Sequence, residues 1–335
     1  MSGAPAQLEP FRPSRLWRGG HPQTVMGSIP LRRPLVERRA HRLLSSTSDV
    51  ILDCGRGVRL HGYYSPATHV ETSRGVAVLI HGWEGSSDSL YLLSTGAHLQ
   101  ARGYDVFRLN LRDHGPSHHL NPELFHSNRI HEVVGAVGHI QDLFPDRPLF
   151  LAGFSLGGNF ALRVALRAPA RAIRLRKVVA VCPVLEPANT LAALESGWVT
   201  YRRYFLFKWR RSLRRKQEAF PELYDFRDIR RYSTLTDLTA YFVEYYSGFA
   251  SLEAYLKGYS LTGDVLEPLE VPSHVILARD DPVIPAGDLA RIARPSCLDV
   301  TLTGDGGHCG YLENLRLASW AERQIGGLFD SAGDA

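Results

Sequence analysis

From residue 75 onward, short and mainly apolar runs alternate with stretches in which apolar residues return every three or four positions. The runs at 75–80, 104–109, 148–152, 177–181, 273–277 and 298–302 have the length and continuity of strands buried on both faces. The periodic stretches between them predict helices around 89–101, near 130–143, directly after 157, and near 311–328 at the end. Strands that alternate with helices imply βαβ crossovers. The expectation is therefore an α/β fold: a mostly parallel central sheet flanked by helices, with chemistry gathered at the carboxyl ends of the strands.

Two regions break this rhythm. Residues 1–35 are rich in Pro, Gly and Arg and read as an irregular arm laid over the domain. Residues 36–64 alternate like strands at 39–44, 50–52 and 58–60, with a Gly55-Arg56-Gly57 turn, which predicts an antiparallel meander. Between 187 and 264 no strand pattern occurs, and about half of the chain's aromatic residues lie between Trp198 and Tyr259. This block reads as a helical lid insertion after the sixth core strand, within one domain spanning 1–335. Within it Tyr201, Phe205, Trp209 and Leu213 recur every four residues, with Arg203, Arg210 and Arg214 mostly on the other side. The expectation is a lid helix packed on the core with a solvated basic face. The sharper alternative is an amphipathic helix making weak peripheral contact with anionic membranes.

The chain's chemistry centres on Gly153-Phe154-Ser155-Leu156-Gly157. A serine between a buried strand and a helix start sits where a nucleophile elbow is built, and the small flanking residues leave room for so tight a reversal. The bland alternative is a glycine-rich turn with an incidental serine. A nucleophilic serine needs a base, and the base an orienting acid, and one known chain order for such triads runs Ser, acid, His. His308 lies in the glycine-rich loop Gly304-Asp305-Gly306-Gly307-His308-Cys309-Gly310 after the last strand and fits the base; His274 falls inside a strand and reads as a core or edge residue. The acid belongs at the end of the preceding strand, where Asp280 and Asp281 both stand. Alternation lets only one of them face His308, and Asp281, fixed by Pro282 and followed by Val283, fits the spacing. For the oxyanion hole the backbone N–H groups of Leu156 and Trp83 are expected, the latter from His81-Gly82-Trp83-Glu84-Gly85-Ser86-Ser87. That segment also reads as a plain turn capped by Ser86 or Ser87.

Composition narrows the classes. Hydrophobic residues at 44% and charged residues at 22% suit a soluble globular chain, and a net charge of +5 is too mild to indicate nucleic acid. The four cysteines, Cys54, Cys182, Cys297 and Cys309, lack metal-ligand spacing and read as reduced thiols in a cytoplasmic protein. The histidine-rich stretch at 114–131 shows no fixed metal geometry and reads as a wall of the site. No signal peptide or membrane span is expected.

With these residues the chain resembles the AB hydrolase superfamily, and within it the AB hydrolase-4 family of esterases and lipases. The resemblance rests on His21-Pro22-Gln23-Thr24, the segment from His81 to Ser87, Gly153 to Asn159, Asp280-Asp281-Pro282 and Gly307 to Tyr311. It implies an α/β-hydrolase fold with Ser155 as nucleophile, Asp281 as acid and His308 as base. It also implies hydrolysis of short- to medium-chain acyl esters or lipids, without a cofactor. Eukaryotic relatives look membrane-anchored by an N-terminal apolar helix that this chain lacks. The expected activity is a serine carboxylesterase with a small-molecule ester as substrate. The alternatives are a lipase, a thioesterase or amide hydrolase with the same triad, or a catalytically silent binding protein on this fold.

Overall fold

The computed structural model describes residues 8–68 and 72–333. Eight strands form one sheet: β1 (Ser48–Asp53), β2 (Arg59–Ser65), β3 (Val76–Ile80), β4 (Asp105–Asn110), β5 (Leu149–Phe154), β6 (Leu175–Val181), β7 (Ser273–Ala278) and β8 (Leu298–Thr303). Their spatial order is β1-β2-β4-β3-β5-β6-β7-β8. β1, β2 and β4 pair antiparallel, and every later pairing is parallel. The central strands β3, β4, β5 and β7 are buried at every position, which is why β3 and β5 read as unbroken apolar runs. Helices Leu90–Ala101, Ile130–Leu143, Leu156–Arg167 and Trp320–Gly333 cover the sheet. The fold is that of an alpha/beta hydrolase.

The amino-terminal third departs from its reading. The residues at 20–28 are not irregular but form the helix Gly20–Ser28, and Arg33–Arg39 forms another. His41–Ser45 is also helical rather than a strand of the meander. Leu43 there is fully buried and packs toward Gly96 of the helix Leu90–Ala101, so tertiary packing overrides the local alternation. The closing helix begins at Trp320 rather than near 311, because Tyr311 and Leu317 take left-handed backbone angles incompatible with a continuous helix.

After β6 the chain builds helices at Pro187–Ser196, Val199–Ala219, Leu235–Phe242 and Leu252–Lys257. The Val199–Ala219 helix turns its aromatic stripe inward. Phe205 stacks on Trp83 at 5.2 Å between ring centroids, and Trp209 meets the same ring edge-on. Its basic face is not wholly solvated: Lys216 is fully buried, and its ammonium donates to Asp113 Oδ1 at 2.7 Å and to the carbonyls of Asn121 and Glu123. No helix among the described residues is long and apolar enough to cross a membrane.

Candidate active site

Ser155 stands between β5 and the helix Leu156–Arg167 with φ 55° and ψ −121°, a left-handed conformation that costs a non-glycine residue energy. Neighbouring backbone crowds this reversal. A Cβ at Gly157 would overlap the carbonyl oxygens of Ile80 and His81, and one at Gly153 would overlap Gly157, so only glycine fits at either position. The serine amide donates to Val181 O at 2.9 Å, which ties the elbow to β6. Its side chain projects from the amino end of a helix, the positive end of the dipole.

The loop after β8 carries His308 over this point. Ser155 Oγ lies 2.9 Å from His308 Nε2, and His308 Nδ1 lies 2.9 Å from Asp281 Oδ2. In the neutral tautomer that suits this chain, Nδ1–H donates to the carboxylate and the serine hydroxyl donates to Nε2. Asp281 is wholly buried, and its other oxygen accepts from the amides of Val283 and Ile284 at 2.8 and 2.9 Å. Three hydrogen bonds fix this carboxylate in one place. Burial pulls the His308 pKa down, but the facing charges of Asp281 and the Cys309 thiol outweigh it and lift the imidazole to about 9. Asp280 turns away from the histidine: its Oδ1 accepts from Gly307 N at 2.9 Å, and its Oδ2 is buried without a partner among the described residues.

Gly82 brings the loop after β3 close to the nucleophile, since a Cβ there would lie 3.0 Å from Ser155 Cβ. The Gly82 amide is taken by Tyr91 Oη at 3.0 Å. Among the described residues the N–H groups of Trp83 and Leu156 meet no protein acceptor. Neither Ser86 nor Ser87 caps the helix that follows; Ser89 occupies the cap position and receives the Ser86 amide on its hydroxyl. The histidine-rich stretch supports this loop from behind. His114 Nε2 accepts from Glu84 N at 3.1 Å, and His81 Nε2 accepts from Leu111 N at 3.1 Å. His274 is buried in β7 and bonds Thr301 Oγ1, away from the elbow.

Two features escaped the sequence reading. The helix Gly20–Ser28 cradles the histidine loop: Thr24 Oγ1 accepts from His308 N at 2.8 Å, and Gln23 exchanges two hydrogen bonds with the backbone of Leu312. The quoted His21-Pro22-Gln23-Thr24 run pointed there but disclosed no role. The second is a meeting of Cys182, His308 and Cys309, whose ligand atoms lie within 4.8 Å of one another. Both His308 nitrogens already serve Ser155 and Asp281, so a metal held there would have to displace the serine–histidine–aspartate relay.

Two chambers meet at Ser155, divided by the rings of Trp83 and Phe205, which line both. One, of about 210 Å³, is bounded by polar groups including Glu84, Tyr91, Lys208 and His308. The other, of about 100 Å³, is bounded by Leu156, Leu191, Leu194, Trp209, Phe242 and Tyr255.

Comparison with known proteins matches this architecture. The sequence pattern of the family described as alpha/beta hydrolase fold covers residues 76–315. YheT of Escherichia coli (strain K12), named provisionally as an esterase, is 26% identical over 94% of this chain and 91% of its own length. The phospholipase ABHD3 of Mus musculus is 24% identical over 74% of this chain, which spans only 61% of that protein. Among solved structures, a serine hydrolase from Cycloclasticus zankles superposes with a TM-score of 0.57 at 18% identity, covering 86% of this chain and 100% of its own. An esterase of Pyrococcus furiosus gives a TM-score of 0.54 at 15% identity, covering 85% and 92%. The chain belongs to the alpha/beta hydrolase fold family, among relatives of esterase and lipase type.

Proposed function

We propose that the protein is a serine carboxylesterase for short- to medium-chain acyl esters, working through Ser155, His308 and Asp281. The observation that carries this reading is the unbroken relay of two 2.9 Å contacts from Asp281 to Ser155 Oγ, beside two N–H groups that meet no acceptor among the described residues. His308 Nε2 takes the hydroxyl proton as Oγ attacks the ester carbonyl. The tetrahedral oxyanion rests on the amides of Leu156 and Trp83. His308 then gives its proton to the departing alkoxide, leaving an acyl-Ser155 ester. Water, deprotonated by the same histidine, attacks that ester and releases the acid. Asp281 remains ionised throughout, holding the tautomer and stabilising the imidazolium.

The apolar chamber suits the acyl chain and the polar chamber the alcohol. The helices between 187 and 264 roof both and act as the lid. No step requires a cofactor, and four free cysteines suit a reducing, cytoplasmic setting. The same relay would serve a lipase or thioesterase; the small apolar chamber, of about 100 Å³, favours short acyl groups over long ones. The test is hydrolysis of a p-nitrophenyl ester chain-length series by the wild type and Ser155→Ala. A fall of about six orders of magnitude is the typical loss when such a nucleophile is removed. A folded variant retaining more than a few per cent of turnover would refute the assignment.

A further inference from the structure

The lid helix Val199–Ala219 carries eight cationic side chains, and their partners are unevenly distributed. Arg202 pairs with Glu195, Arg210 and Arg214 bond main-chain carbonyls, and Lys216 is buried against Asp113. Arg203 is exposed and lines neither chamber. Lys208, Arg211 and Arg215 remain, at a spacing that puts them on one helix face. Among the described residues none of the three has a carboxylate within ion-pair distance; Lys208 has only the Tyr204 ring, 6.0 Å from its ammonium.

Lys208, at one end of this face, reaches the site, while Arg211 and Arg215 flank a neighbouring cavity. Lys208 lines the polar chamber together with Ser155, and the cavity beyond it, of about 110 Å³, is lined by Lys208, Arg211 and Arg215. The acids nearby do not neutralise them. Asp113 is bonded to Lys216, and Asp88, in the polar chamber, lies 3.5 Å from Arg108. Glu84 shares both cavities but makes no ion pair with any of the three among the described residues; burial lifts its carboxyl to about 8 even though Lys208, Arg211 and Arg215 draw it down. Three like charges on one helix face repel, and an anion placed among them relieves that repulsion.

We infer that the alcohol portion of the substrate carries an anionic group, a phosphate or carboxylate, which Lys208 receives with Arg211 and Arg215 while the ester carbonyl lies on Ser155. This rests on the hydrolase reading and extends it to a substrate class: acyl esters of anionic alcohols. The arrangement places the acyl group on the far side of Trp83 and the charged end under the lid helix. Attraction between groups near a protein surface falls with ionic strength, so the preference weakens as salt is added.

The experiment compares kcat/KM for three soluble esters with one acyl group: 1-butyrylglycerol, 1-butyrylglycerol 3-phosphate and butyrylcholine. At low salt the wild type should prefer the phosphate ester over the neutral one by about tenfold or more, with butyrylcholine the poorest. Lys208→Glu should lower the phosphate-to-glycerol ratio by at least about tenfold, and Arg211→Glu, at an exposed position that does not threaten folding, should lower it in the same direction. A wild-type ratio near one at low salt, or a ratio unchanged in both variants, overturns the inference. The hydrolase reading fails separately, by absence of turnover on all three esters including the neutral one.

Discussion

At the scale of single residues, the pair Asp280 and Asp281 shows how one position decides a role. Adjacent strand-end residues point in different directions, and only Asp281 reaches His308 Nδ1. Asp281→Asn should lower kcat by about three to four orders of magnitude, because the amide favours the wrong imidazole tautomer. Asp280→Asn should cost about tenfold or less, since its carboxylate accepts the Gly307 amide rather than facing the imidazole; comparing both variants at matched folded content checks this. The His308 pKa of about 9 makes a second prediction. The base must be neutral to accept the serine proton, so kcat/KM should climb with pH along a limb centred near 9. A limb centred at the ordinary histidine value of about 6.5 would contradict the Asp281 charge effect. The same raised pKa adds stability that is fully present below pH ~6.5 and lost as pH rises through about 9.

At the scale of elements, two contacts hold the site's parts together. Thr24 receives the His308 amide, so Thr24→Val should leave that N–H unsatisfied and lower kcat by roughly tenfold, with Thr24→Ser restoring it. Lys216 joins the lid helix to the loop bearing Asp113. Lys216→Met would strand a buried carboxylate and several carbonyls, and should destabilise the protein by about 3–5 kcal/mol in urea denaturation. Neither contact was legible in the sequence. Residues 20–28 contain Pro and two glycines, which propensity assigns to loops; they are helical because they pack under the histidine loop, where a Cβ at Gly20 would overlap Asp280 O. Nothing local distinguishes Lys216 from the other cations of the helix. Its burial depends on carbonyls about ninety residues away, which no local pattern encodes. By contrast, the helix at Ile130–Leu143 stands where its apolar periodicity predicts, with Ile130, Val133, Val137 and Ile140 buried on one face, although Glu132 is buried too and Leu143 is exposed.

At the scale of the whole molecule, the sheet brings distant segments of sequence to one point. Ser155 follows β5, Asp281 follows β7, His308 follows β8 and Trp83 follows β3, all at carboxyl ends of parallel strands. That convergence was legible because buried parallel strands carry a strong apolar signature and the elbow needs glycines at fixed places. The two-chamber division was not, since it arises where Phe205 of the lid stacks on Trp83. The central claim is that Ser155 becomes acylated, and mapping a covalent adduct tests it most directly. After treatment with a fluorophosphonate, peptide mass spectrometry should find one phosphonyl group on Ser155, with none on Ser155→Ala and much slower labelling of Asp281→Asn. A phosphonyl group on another residue of the wild type, or full labelling of Ser155→Ala, would contradict the account.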